Sequence, residues 1–150
     1  MNLTPKGFHA HPYEYHQELI LKIEDVTNLG YGIARDGEWV IQIAFVLPGE
    51  KVRAKIFRNQ KNYSEADCLE VLTPSPDRVE PNCSLFGICG GCQYQSVKYS
   101  TQLEWKRRQV NNSFRRIGGL NVIVKEVIAS PKEYGYRSKL TPHYEKAISD

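Results

Sequence analysis

From Glu18 onward, apolar and polar residues alternate in short runs separated by turn residues, the pattern of strands with one face buried. Leu19, Leu21 and Ile23 alternate with Lys22 and Glu24, and Asn28-Leu29-Gly30-Tyr31-Gly32 breaks that strand. Asp36-Gly37 is a two-residue hairpin signal, followed by the apolar run Trp39 to Val46. Pro48-Gly49 suits a type II turn, Pro setting the first central φ and Gly taking the positive one. Val52, Ala54 and Ile56 then point one way, and Lys51, Arg53, Lys55 and Phe57 the other. Lys61-Asn62 turns the chain into a last strand ending near Val71-Leu72. Five short strands over residues 18–73 predict a small closed barrel, because closure removes exposed edges.

The flanking segments read differently. Residues 1–17 place His9, His11 and His16 among Pro5, Gly7 and Pro12, which suits a flexible polar arm; a histidine metal site is the alternative. Residues 74–82 form a linker that Pro74, Pro76 and Pro81 stiffen and deprive of ladder donors. A helix is predicted from about Val97 to Ile117, with Gly118-Gly119 as its stop. At about 100° per residue, Tyr99, Leu103, Val110, Phe114 and Ile117 make one apolar stripe, expected to face the core. Lys98, Trp105, Arg108, Arg115 and Arg116 lie roughly opposite, a face that either meets RNA or docks on another domain. Val122 to Ile128 and Tyr136 to Tyr144 read as strands of a domain still incomplete at Asp150.

Composition narrows the class. Charged residues make up 25% and hydrophobic ones 41%, an ordinary globular balance. No apolar run approaches the ~18 residues of a membrane span, and the first residues lack a secretory h-region. A cytoplasmic protein with no membrane partner is expected. The net charge of +3 hides two basic stretches. Residues 50–61 hold five cations against Glu50, and residues 97–117 hold six against Glu104, together +9, which leaves −6 for the rest. Such clustering is the footprint of a polyanion binder; two solvated faces are the alternative.

Three of the four cysteines fall in the run Cys83-x5-Cys89-Gly90-Gly91-Cys92. A cytosolic chain does not cluster cysteines for disulfides, so metal or redox chemistry leads. Gly90 and Gly91 let the backbone curl around a metal centre and aim N–H groups at anionic sulfur. Three thiolates fall short of the four ligands of a closed site. Cys68, on the last strand with Ala66, is either a small buried hydrophobe or the missing ligand, and zinc completed by Cys68 or a histidine stays open. A thioredoxin-like Cys89-x-x-Cys92 would open a helix after a strand; here a loop precedes it and Gln93-Tyr94-Gln95 follows.

The run Ser75-Pro76-Asp77-Arg78-Val79-x-Pro81-x-Cys83, then Cys89-Gly90-Gly91-Cys92-x-Tyr94-Gln95, then Gln102-Leu103-x-x-Lys106, resembles the RNA (uracil-5-)-methyltransferases. The likeness is greatest to their ribosomal-RNA branch, which carries an iron–sulfur cluster. Gly30-Tyr31-Gly32, Asp36-Gly37 and Leu47-Pro48-Gly49-Glu50 resemble the TRAM domain, an OB-like RNA-binding barrel. Tyr136-Arg137-Ser138-Lys139 is similar to the motif that opens the family's central domain, though Asn often stands where Ser138 is.

The resemblance implies a mainly β chain: an OB-like five-stranded TRAM barrel at 18–73, then, over 83–150, a cysteine loop, one helix and the first strands of an α+β central domain. It implies a [4Fe–4S] cluster on Cys83, Cys89 and Cys92, its fourth ligand outside this chain, since no cysteine follows Cys92. It implies S-adenosyl-L-methionine (SAM) as cofactor of a longer parent, and structured RNA, chiefly ribosomal RNA, as partner, with no DNA. Lys51, Arg53, Lys55 and Phe57 then become RNA contacts, since basic and aromatic residues at period two suit a strand that tracks phosphates and stacks a base. Arg137 and Lys139 join them on the resemblance alone. No residue matches the family's nucleophilic cysteine, carboxylate base or SAM fold, so an inactive fragment is expected. A stand-alone RNA- or zinc-binding module is the competing class, and a tRNA-directed methyltransferase the competing specificity.

Overall fold

The computed structural model describes residues 4–88 and 90–136. Five strands appear in the predicted places: β1 (Glu18–Val26), β2 (Gly32–Asp36), β3 (Trp39–Ile43), β4 (Lys51–Asn59) and β5 (Tyr63–Thr73). They form a closed barrel in the order β1-β2-β3-β5-β4. All pairings are antiparallel except β3 with β5, where Val40 faces Tyr63 and Ile43 faces Ala66 in parallel register. β3 ends earlier than its apolar run, because Phe45 adopts a left-handed φ of 61° and turns the chain out of the ladder.

Period-two alternation decides what lies inside. Ile23, Ile41, Ile43, Val52 and Ile56 are almost fully enclosed, each stabilising the fold by about 1.5–3 kcal/mol. Leu21, Ala34, Val46, Ala54 and Ala66 complete that core, and Cys68 packs against it.

The arm is not the loose segment expected. Tyr13 is 6% exposed and belongs to the barrel core. The Asn59 side chain donates to the carbonyls of His9 and Tyr13, both at 2.7 Å. Ser64 donates to Asn59 Oδ1 at 2.6 Å and accepts from Trp39 Nε1 at 2.9 Å. Tyr13 donates its hydroxyl to Asp36 at 2.9 Å. Burial, that hydrogen bond and the Asp36 charge push the Tyr13 phenol up to about 12. One end of the barrel is therefore plugged by a hydrogen-bonded network whose one ion is the exposed Asp36.

The helix α1 (Tyr99–Arg116) also corrects the expectation. Trp105, placed on the polar side by the periodicity, is its one buried residue and packs with Val26, Leu47 and Val97. The apolar stripe points away: Val110, Phe114 and Ile117 are 44%, 39% and 87% exposed. The face that docks is the one whose indole meets the apolar surface of Val26, Leu47 and Val97. The predicted strand Val122–Ile128 is absent. That stretch joins no strand ladder among the described residues; the Val124 amide donates to Asn111 Oδ1 at 2.9 Å, and Ile123 and Ile128 are 89% and 96% exposed. Strand propensity without a partner strand leaves extended chain. Apart from Tyr136, the second predicted strand lies outside the described residues.

Candidate nucleic-acid interface and cysteine loop

Lys51, Arg53, Lys55 and Phe57 do share the outer face of β4, since Val52, Ala54 and Ile56 between them are buried. Register then sorts them. Arg53 is bracketed by Glu18 at 3.1 Å and Glu70 at 3.0 Å, and those bonds hold its guanidinium pKa up. Lys55 stands opposite Glu18 on β1 and Asp67 on β5. Lys51 stands opposite Lys22 on β1 and Thr73 on β5. The face is thus charge-matched in its middle and purely cationic at the Lys51 end. At the Phe57 end, Arg58 sits 5.9 Å from the Phe57 ring centre, and the arm adds a stack of Tyr15 on His16 with centroids 3.8 Å apart.

The linker is no spacer. Glu50, 0% exposed, accepts from the Leu47 amide at 2.8 Å, the Ser75 amide at 3.1 Å and Arg78 at 2.6 and 2.8 Å. Arg78 also donates to the Phe45 carbonyl at 2.9 Å. Burial pushes the Glu50 carboxyl up, but the Arg78 bond and the two amides outweigh it and hold it below the usual carboxylate range. Val79 donates to the Ser96 carbonyl and Lys98 to the Asp77 carbonyl, both at 2.9 Å. The chain on both sides of the cysteine loop is therefore stitched together and bolted to the barrel.

The loop lies across that same barrel end. Phe86 meets Phe45 edge-on at 5.2 Å, and Tyr94 meets Trp105 edge-on at 5.9 Å. Gly30, at φ 86°, passes so close that a Cβ there would come within 3.2 Å of Gln93 and 3.3 Å of Tyr94. Gln102 donates to the carbonyls of Tyr94 at 3.1 Å and Val97 at 2.9 Å. Arg108 reaches Asp25 at 2.7 Å, which ties α1 to β1.

Cys83 and Cys92 are exposed on this loop. Gln95 joins them: it accepts from the Cys83 amide at 3.3 Å and donates to the Cys92 sulfur at 3.1 Å. Cys89 lies outside the described residues, as do Arg137 and Lys139. Among the described residues no three His, Cys, Asp or Glu side chains gather as a metal site. Burial pushes the Cys68 thiol up, which fits a small core residue and not a metal-bound thiolate.

A family model described as TRAM domain matches residues 16–69. The barrel is a TRAM domain. Similarity runs well past it. An uncharacterized RNA methyltransferase of Listeria monocytogenes is 44% identical over 123 residues, 82% of this chain and 27% of its own length. The tRNA (uracil(54)-C(5))-methyltransferase of Schizosaccharomyces pombe is 37% identical over 153 aligned residues, 96% of this chain and 29% of its own. A solved structure, the tRNA (uracil-54, C5)-methyltransferase of Pyrococcus abyssi with S-adenosyl-L-homocysteine, is 28% identical over 75% of this chain and 24% of that one, at a TM-score of 0.47. This chain is homologous to proteins named RNA methyltransferases and spans about a quarter of the length of those relatives. Within it, the TRAM domain and the start of the next segment are joined through Glu50, Arg78 and Trp105. The first two stand in the motifs that carry the resemblance and the third on the helix face left open between RNA and docking, but nothing local paired them. Glu50 carries one further trace, an acid directly before a basic strand whose alternation places it among inward-facing positions.

Proposed function

We propose that this chain is the RNA-binding, cluster-holding front of a cytoplasmic, SAM-dependent RNA (uracil-5-)-methyltransferase that forms 5-methyluridine in ribosomal RNA. The observation that carries the reading is a TRAM domain continuous with the Cys83–Cys92 loop, inside a region 44% identical to a protein named RNA methyltransferase. Transfer RNA is the second reading, favoured by the substrate in the name of the S. pombe relative. The chain contributes grip on RNA. The methyl transfer itself rests on no residue of it.

Cys83, Cys89 and Cys92 would hold the [4Fe–4S] cluster, with the fourth ligand from outside this chain. Two exposed thiols on one loop, with Gln95 bonded to the Cys83 amide and to the Cys92 sulfur, fit such a donor set. The cluster would supply a bonded staple through a loop that has no helix or strand of its own. The test is anaerobic reconstitution with iron and sulfide. A brown protein is expected, with Cys89→Ser colourless and Cys68→Ser unchanged. A colourless protein that binds one zinc and needs Cys68 sinks the cluster assignment. In parallel, the longer protein should methylate uridine in ribosomal transcripts with SAM while the 150-residue chain alone does not; methylation of tRNA only would replace the ribosomal reading.

A further inference from the structure

Lys22 and Lys51 stand directly opposite each other on β1 and β4. Directly opposed residues of an antiparallel pair have Cα atoms about 4.5–5.5 Å apart, and like charges so placed destabilise the pair. Elsewhere on this face opposite charges face each other across the ladder: Arg53 is bonded to two carboxylates, and Lys55 stands opposite Glu18 and Asp67, though within ion-pair distance of neither. Here they do not. Among the described residues neither lysine lies within ion-pair distance of a carboxylate, and the nearby Glu24 is engaged with Arg35 at 3.5 Å. The two lysines flank an open cleft of about 450 Å³, lined also by Ile20, Leu21, Gly49 and Thr73. Ile20 is 62% exposed on its floor, and nothing lies within 4 Å of where a Gly49 Cβ would stand. Its size lies within the range of small-ligand sites, about 300–1,000 Å³.

We propose, building on the RNA-binding reading above, that Lys22 and Lys51 form a clamp for one phosphodiester of single-stranded RNA. The anion between the two ammonium groups removes their repulsion, so the pair is costly in the free protein and favourable in the complex. Ile20 gives the adjoining sugar an apolar seat, and Thr73 offers a hydroxyl beside Lys51. Lys22 is absent from the basic run on β4, so the clamp exists only once β1 has paired with β4.

The test is fluorescence anisotropy of a labelled oligouridylate titrated with the 150-residue chain over a series of salt concentrations. Lys22→Gln and Lys51→Gln should each weaken binding several-fold at low salt. Each should also flatten the slope of log affinity against log salt by roughly 0.7, the single-strand value for one lost contact. Lys132→Gln, an exposed lysine outside the barrel, should leave the slope unchanged, and thermal melting should show both clamp variants folding at least as stably as the parent. RNA binding that persists unchanged in both variants, or falls equally with Lys132→Gln, sinks the clamp and leaves the RNA reading standing. Absence of RNA binding by the parent sinks both. Displacement of RNA by inorganic phosphate at matched ionic strength, from the parent but not the variants, assigns the site to free phosphate and overturns the proposal.

Discussion

The two ends of the barrel are both closed by chain from outside it, and they are closed by different chemistry. At one end the arm is held by hydrogen bonds whose one ion, Asp36, is exposed: Tyr13 on Asp36, and Asn59 and Ser64 bonded in series to Trp39. At the other, the linker is held by a carboxylate with no solvent contact and a guanidinium that is largely covered. A network with no enclosed ion tolerates the loss of one member at the cost of one or two unmade bonds. An enclosed charge tolerates the loss of its partner badly, because the burial cost of the ion is left without compensation. The end that carries the cysteine loop is thus the firmer one while intact and the more fragile one to substitution. The protein has two tryptophans, Trp39 at the arm end and Trp105 at the linker end, so single-tryptophan variants report each end separately.

The largest expected effect is at the linker end. Arg78→Ala strands Glu50 and should cost about 3–5 kcal/mol, read as a lower urea midpoint by Trp105 fluorescence in a Trp39→Phe background. A midpoint like the parent's would mean that the ion pair is not what bolts the linker down. Asn59→Ala is smaller, about 1–3 kcal/mol, and should release the arm to protease before the barrel unfolds; simultaneous loss of both would merge the two ends into one unit.

The smallest effect concerns pH, where the ends should fail in opposite directions. The folded pKa of Glu50 lies below its unfolded one, so its contribution is complete above the ordinary carboxylate range and disappears as pH falls through the lowered folded value. The folded pKa of Tyr13 lies above its ordinary value of 10.0, at about 12, so its contribution is complete below pH 10 and is lost between roughly 10 and 12. Acid should therefore disturb Trp105 first and alkali Trp39 first. Both tryptophans changing together at either extreme would break the distinction.

How much of this was legible in the sequence follows from the range of the forces involved. Strand positions were legible because burial alternates along each strand, and Val52, Ala54 and Ile56 display that alternation locally. The packed arm was not, since Asn59 meets Tyr13 across 46 residues and no local pattern marks either as a partner. The helix misled for a physical reason. It offers two faces able to dock, and the single indole of Trp105 matched the surface of Val26, Leu47 and Val97. The basic strand was legible as a strand but not as a surface, because the charges that cancel Arg53 and Lys55 come from β1 and β5. Pairing register supplied what composition could not.

The parallel match of β5 with β3 carries a consequence for how the protein is made. The last strand of the barrel to leave the ribosome is the one that slots between β3 and β4, two strands already synthesised and lacking each other as neighbours. Until Tyr63–Thr73 has emerged, the nascent chain presents two open edges bordered by Ile41, Ile43 and Ile56, which invite pairing with other chains. Ring closure is therefore a late, long-range event, and premature termination anywhere before residue 63 yields a polypeptide prone to aggregate. Lys51, Arg53 and Lys55 then serve a second purpose: they line the waiting β4 edge with like charge and hold copies apart until β5 arrives.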